Sequence, residues 1–122
     1  MSYSLTWQDS NAIMSFEGNV VFQDLYEADN IMYGDSRFDN MKYLIVDFSK
    51  TEKLELTEEE TQIIAELDKG SSRWNNKIKL AVVTSDSYLI ERIKPYIESM
   101  QDTEWSIKIF ENIFEAKKWC TD

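Results

Sequence analysis

The sequence contains no histidine, and this absence removes several kinds of active site. Histidine is the base of Ser-His and Cys-His dyads, a common zinc ligand and the side chain that most readily exchanges protons near neutral pH. A glycine-rich phosphate loop is missing too, because DKGSS lacks the required G-x4-G-K-[ST] spacing. The sequence therefore predicts a protein that is not an enzyme and that holds no metal and no cofactor.

Cysteine and basic residues are scarce. The single Cys120 cannot form an internal disulfide, and 13 basic residues against 23 acidic ones leave a formal net charge of −10. A strongly acidic surface repels the phosphates of nucleic acids and of anionic lipid headgroups. We therefore expect no nucleic-acid partner and no membrane partner. The charge either serves solubility or favours a partner with a basic surface.

Long apolar runs are missing as well. No run approaches the roughly 18 apolar residues of a membrane span, and the opening MSYSLTWQDSNAIM lacks the basic and apolar regions of a signal peptide. These features lead us to expect a cytoplasmic protein. The 122 residues, of which 43% are hydrophobic, suffice for one domain with a proper core, and we assign residues 1–122 to it.

Short apolar runs alternate with amphipathic stretches along the chain. Two runs around the turn-forming DSN predict a hairpin, and YLIVDF, IKLAVV and SIKIF predict buried strands. Apolar residues recur at helical spacing between them. This order predicts an α/β fold with a mixed, mostly parallel sheet of about five strands and with about four helices. Only the first strand should run antiparallel to its neighbour.

Capping residues, glycine and proline predict where the helices begin and end. Asn19 is predicted to cap the first helix, and Gly70 to end the second. The second helix should turn Ile63, Ile64 and Leu67 towards the core. Pro95 lies inside the third helical pattern, where it removes a backbone donor and clashes with the preceding turn, so it predicts a kink or a break.

Four segments carry a resemblance to a known family. They are Phe16-Glu17-Gly18, VDFS at 46–49, AELDKGSSRWNNKIKLAVVT at 65–84, and Phe110 followed by EAKKW at 115–119. Together they resemble the STAS domain, the fold of the sporulation anti-sigma-factor antagonist, and more narrowly the small bacterial proteins described as STAS-like or SEC14-like. The resemblance implies a regulatory module that binds a protein partner. Its SEC14-like side implies an alternative, a carrier or sensor of a small apolar ligand.

Thr57 has two interpretations. In the antagonist family a segment of the pattern DFS-x5-DSSG carries the serine whose phosphorylation switches partner binding, and counting from VDFS places Thr57 there. The resemblance thus implies that Thr57 is a phosphoacceptor of an anti-sigma-factor antagonist. The residues themselves favour a helix cap, because Thr57 and Glu60 fit a capping box and Glu58 and Glu59 would repel a phosphate. The glutamates could also imitate the phosphorylated state permanently.

Four residues are predicted to contact a partner. Arg73 and Trp74 lie in the polar segment SSRWNN, and an exposed Trp beside an Arg is typical of a binding hot spot. The alternative is that Trp74 packs over a helix end. Glu58 and Glu59 are the other two, beside Thr57. Asp68, at the start of DKGSS, is assigned to hydrogen bonding in a loop.

The ligand alternative depends on apolar side chains that could line a cavity. A cavity of the order of several hundred Å³ would favour a ligand, whereas a packed core with an exposed apolar patch would favour a protein partner. The candidate lining residues are Met14, Met32, Met41, Ile63 and Leu67.

Overall fold

The structure is a computed structural model that describes residues 2–122. It contains one five-stranded sheet in which the strands lie in chain order. The first two strands are antiparallel, and the other three pairs are parallel, as the sequence predicts. The strands are β1 (Tyr3–Gln8), β2 (Asn11–Val21), β3 (Tyr43–Glu55), β4 (Lys79–Val83) and β5 (Ser106–Phe110).

Helices connect the parallel strands and follow the last one. The first three α-helices each join two neighbouring parallel strands, and the fourth comes after β5. Short 3-10 helices follow the first and the third. The α-helices are α1 (Phe22–Tyr33), α2 (Glu58–Trp74), α3 (Ser87–Ser99) and α4 (Ile113–Thr121), and the 3-10 helices are Ser36–Asn40 and Met100–Asp102.

α4 packs closely on one face of the sheet. Its inward residues Ala116 and Cys120 are buried against Ile45, Ala81 and Val83 of β3 and β4. Because both helix residues are small, the helix backbone can approach the strands and leave little space between them. This face is a plain packed core.

The opposite face carries the other three helices. Leu44 alternates with Ile45 along β3 and therefore points to this side, where α1 buries Met32 and α3 buries Leu89 and Ile93. α2 lies between α1 and α3 and contacts both. Its inward side chains are mostly small or polar. They are Thr61, Ile64, Ala65, Asp68 and Ser72.

β2 and β3 are longer than the sequence predicts. β2 continues through Gly18 and Asn19, so Asn19 does not cap α1, and Val21 stands at the N-cap position instead. Gly18 has a φ of +72°, which favours glycine, beside an irregularity in the β2–β3 pairing. The polar segment 49–55, which lies beyond the apolar run YLIVDF, continues β3 because it pairs with this extension of β2.

α2 and α3 also correct the predicted boundaries. α2 runs through Gly70 to Trp74, since one interior glycine costs only about 1 kcal/mol and does not by itself end a helix. Ile63 is 45% exposed, whereas its neighbour Ile64 takes the inward position. α3 passes Pro95 without the predicted break, and Ile93 before it is buried in the core.

Candidate functional site

α1, α2 and α3 meet at a buried polar cluster, the Asp29–Asp68 cluster, which consists of Asp29, Tyr33, Asp68 and Tyr96. The two aspartates are 8% and 6% exposed. The hydroxyl of Tyr33 donates to Asp68 Oδ1 at 2.6 Å, and that of Tyr96 donates to Asp68 Oδ2 at 2.5 Å. Asp68 therefore ties its own helix, α2, to α1 on one side and α3 on the other.

Burial affects the pKa values of the two carboxyl groups to different extents. Burial raises the pKa of Asp29 well above its usual range, and the nearby charge of Asp68 raises it further. Burial also raises the pKa of Asp68, but the hydrogen bonds from Asp29, Tyr33 and Tyr96 counteract that rise. Asp29 is thus the carboxyl group whose surroundings more strongly favour the protonated form, and in that form it can donate to the Asp68 carboxylate. The pKa values of both tyrosines are raised by burial, so their hydroxyls remain donors.

The cluster forms part of the wall of a cavity between α2 and the sheet. Its volume is about 80 Å³. Val46 lies in β3, which pairs with a strand on each side, yet its side chain is only half-buried. Its partial exposure agrees with its position in the cavity wall. Arg92 of α3 also lines it, and its guanidinium donates to the main-chain oxygens of Leu54 and Leu56. The sheet contributes apolar side chains, among them Met14, Leu44, Val46, Leu80 and Val82.

Sequence reasoning missed most of this cluster. It assigned Asp68 to loop hydrogen bonding, whereas Asp68 lies inside α2 and is buried, and it did not single out Asp29. The available signal was helical spacing: Asp29 lies three residues before the buried Met32, and Asp68 four residues after the buried Ile64. An aspartate on the inward face of a helix indicates a buried polar contact, because such residues are rarely buried alone.

Thr57 caps α2. Its Oγ1 accepts a hydrogen bond from the main-chain N–H of Glu60 at 3.0 Å, and the Glu60 carboxylate accepts one from the N–H of Thr57 at 3.0 Å. The capping box is therefore present as the sequence indicates. Thr57 is exposed, and its role as a phosphoacceptor stays a prediction.

The four predicted partner-binding residues do not form one compact patch. Glu58 and Glu59 lie in the first turn of α2, and Arg73 and Trp74 end the same 17-residue helix. At 1.5 Å per residue the two pairs are separated by roughly 20 Å. Trp74 is 73% exposed, so it does not pack over the helix end.

A line of apolar side chains runs along the outer face of α2 between these pairs. Ile63, Leu67 and Trp74 follow at intervals of four and seven residues, which keep them on one side of a helix. Ile63 is 45% and Trp74 73% exposed, and Leu67 is half-buried. We call these three residues the α2 stripe. Glu59 and Glu66, both exposed, lie beside it.

Reactive and metal-binding groups are scarce among residues 2–122. No group of three or more Cys, Asp or Glu is placed there to hold a metal ion. Cys120 is buried, and burial raises the pKa of its thiol to about 11, which keeps it protonated. None of the helices in this range is long and apolar enough to cross a membrane.

Comparison with known proteins bears on the fold. No family model and no curated protein matches the chain. An uncharacterised DUF3478-family protein from Shewanella loihica PV-4 matches with a TM-score of 0.57 and 11% identity, over 97% of this chain and 91% of its own. The anti-sigma-factor antagonist SpoIIAA, in its unphosphorylated form, matches with a TM-score of 0.60 and 6% identity, over 98% and 96%.

The chain has a SpoIIAA-like fold. Both alignments extend over nearly the whole length of each chain, and the five-stranded sheet with one antiparallel pair and the four helices match the SpoIIAA-like fold. The STAS-like fold implied by the sequence is thereby confirmed. Identities of 6% and 11% extend the likeness to the fold alone.

Proposed function

We propose that this protein is a non-catalytic regulatory module that binds a protein partner through the outer face of α2. The α2 stripe is the observation that carries the proposal. Single exposed apolar residues are ordinary on protein surfaces, but a line that ends in a largely exposed Trp is typical of a helix that docks into a partner. Ile63 and Trp74 are both exposed, at 45% and 73%.

The charges around the stripe define the partner. Glu58, Glu59 and Glu66 stand on the same helix, and the whole chain carries a net charge of −10. Such a helix fits an apolar groove rimmed by Lys and Arg, because opposite charges guide the encounter and exclude other partners. A second copy of this acidic chain is a poor occupant, since like charges would face each other. The partner is thus a protein with a basic surface.

The fold supports this proposal. SpoIIAA is described by its role as an antagonist of an anti-sigma factor, that is, by an action on another protein. In the present chain the exposed Thr57 begins the same helix that carries the stripe. A second candidate is therefore an antagonist switched by phosphorylation of Thr57, which would add charge at one end of the proposed surface. The adjacent Glu58 and Glu59 oppose that change.

The SEC14-like carrier finds no support in the cavities. The apolar cavity of about 80 Å³ is several-fold smaller than ordinary ligand pockets of roughly 300–1,000 Å³. A groove of about 210 Å³ near Lys69, Arg73 and Asp102 is polar and charged, which does not suit an apolar molecule. Of the residues considered as its lining, Met32 and Met41 are packed in the core.

Site-specific photo-crosslinking in the native host tests the surface. A crosslinking amino acid at Ile63 on α2 is compared with one at Phe114 on α4, which is exposed on the other side of the sheet. We expect one protein with a basic surface to crosslink at position 63 and not at 114. Crosslinks of equal yield at both positions, or a dimer of the chain itself at 63, would contradict the proposal. Mass spectrometry of the same sample reports the phosphorylation state of Thr57.

A further inference from the structure

The Asp29–Asp68 cluster brings two buried carboxyl groups together in the wall of the cavity. Asp68 accepts hydrogen bonds from both tyrosines. Among the side chains of residues 2–122, Asp68 is the one hydrogen-bond partner of the Asp29 carboxyl, which is more than nine-tenths buried and lines the cavity. Two acids placed so close require a positive charge or a proton to keep them together. A cationic group bound in the adjacent cavity would supply the positive charge.

We propose that the cavity beneath α2 binds a small molecule that consists of an ammonium group and a short apolar body. The ammonium would contact the carboxyl groups of Asp29 and Asp68, and the apolar body would lie against the side chains of the sheet, such as Leu44 and Val82. This site faces away from the α2 stripe and does not depend on the partner proposed there.

The composition of the walls selects this ligand class. The sheet contributes no ionisable side chain to the cavity. The ionisable side chains that α1 and α2 contribute are Asp29 and Asp68. α3 contributes Tyr96, whose hydroxyl is used by Asp68, and Arg92, whose guanidinium donates to the carbonyls of Leu54 and Leu56. An anion would face two carboxyls, and a neutral alcohol could not replace the proton between them. A compact ammonium satisfies both acceptors.

The size of the cavity limits the ligand. A dry cavity of roughly 150 Å³ holds benzene, which has six non-hydrogen atoms, so the cavity of about 80 Å³ suits a whole molecule of about three to four non-hydrogen atoms. Propylammonium is therefore the probe of choice. Ligands of this size rarely bind more tightly than the millimolar to high micromolar range.

Binding and proton release are linked. An ammonium between the carboxyls favours ionisation of Asp29, so the protonated Asp29 gives its proton to the buffer as the ammonium enters. About one proton should therefore leave for each propylammonium bound at a pH where Asp29 is protonated. Affinity should rise with pH until Asp29 is ionised in the free protein, and then level off.

Calorimetric and NMR titrations of the full chain with propylammonium test the proposal. Two buffers that differ in ionisation enthalpy report the number of protons released. We expect propan-1-ol and propionate to bind at least ten-fold more weakly than propylammonium. Asp29→Asn should weaken propylammonium binding at least ten-fold, because the amide keeps a donor for Asp68 but cannot ionise to meet the ammonium. Glu27→Gln removes a charge from the exposed side of α1 and should leave the affinity unchanged.

A second variant separates loss of the site from loss of the fold. Val46→Leu adds a methylene to the apolar part of the cavity and leaves both carboxyls in place, so it should weaken binding while thermal unfolding stays cooperative. Equal affinity for propanol and propylammonium would overturn the proposal. So would unchanged affinity in Asp29→Asn, or no binding at about 50 mM amine, well above the millimolar range expected for so small a ligand.

Discussion

α4 and α2 cover opposite faces of the same sheet and do so in different ways. α4 presents Ala116 and Cys120 and lies directly on the strands. α2 presents Thr61 and Asp68 among its inward residues, and a cavity remains beneath it. The face covered by α4 is therefore organised for packing alone. The other face combines a polar cluster, a cavity and an exposed stripe, which are features that packing does not require.

The largest effect on stability is expected where Asp68 ties three helices together. Asp68→Ala leaves the hydroxyls of Tyr33 and Tyr96 without their acceptor. Each buried unsatisfied group costs about 1–3 kcal/mol, so the free energy of unfolding should fall by about 2–6 kcal/mol. Urea titration measures the loss. Asp29→Asn is the matched control and should cost less than about 1 kcal/mol, since its amide can still donate to Asp68. A similar small cost for Asp68→Ala would show that the cluster does not hold the helices together.

A pair of enlarging substitutions compares the two faces directly. Ala116→Leu forces extra volume between α4 and the strands and should lower the free energy of unfolding by about 1–3 kcal/mol. Val46→Leu adds volume on the cavity side and should change it by less than about 0.5 kcal/mol, because the space is already there. Chemical denaturation of both variants gives the two values. Equal costs would mean that the cavity side is as tightly packed as the α4 side.

The pH dependence of stability should show the raised pKa of Asp29. A folded-state pKa above the unfolded value of about 3.9 means that the folded chain holds more protons between the two values. The stability that protonation of Asp29 contributes is fully present below about pH 4 and is lost as pH rises through the folded-state pKa of Asp29. The slope for one proton is at most about 1.4 kcal/mol per pH unit.

The Asp29→Asn variant separates the pH-dependent contribution of Asp29 to stability from the contributions of the other carboxyl groups. The free energy of unfolding of the wild type, minus that of the variant, should decrease with rising pH across that window. Denaturant titrations at a series of pH values provide the difference. A flat or increasing difference would show that Asp29 is not the protonated member of the pair.

A smaller effect is expected at the cap of α2. Thr57→Ala removes the acceptor for the Glu60 N–H and should cost about 1 kcal/mol, whereas Thr57→Ser keeps the oxygen and should be nearly neutral. Thermal unfolding of both variants checks the ranking. Stability that is unchanged in Thr57→Ala, together with substantial phosphorylation of Thr57 in native protein, would favour the switch over the cap.

The fold could be predicted because it follows from local patterns. Apolar strands that alternate with amphipathic helices specify the order and type of the elements. The extension of β3 over residues 49–55 could not be predicted, because this segment is polar and is held by backbone pairing with β2 rather than by its side chains. Its length depends on a neighbour that is distant in sequence.

The site could be predicted only in part. The cap at Thr57 and the exposure of Trp74 follow from residues close in sequence. The meeting of Asp29 with Asp68 depends on how α1, α2 and α3 pack, which helical spacing does not determine. The exposure of Ile63 has the same origin, since small inward residues such as Ala65 rotate α2 relative to the pattern that apolar residues alone would favour.

Two exposed aromatic residues on opposite sides of the sheet allow a direct test of whether α2 carries the partner surface. Trp74 is 73% exposed on α2 and Phe114 is 74% exposed on α4, so alanine at either position should change the free energy of unfolding by less than about 0.5 kcal/mol. The decisive measurement is the affinity of the partner crosslinked at position 63 for the two variants. We predict that Trp74→Ala weakens binding at least ten-fold, about 1.4 kcal/mol, and that Phe114→Ala leaves it unchanged. Equal affinities for both variants, or a loss confined to Phe114→Ala, would contradict the assignment of the partner surface to α2.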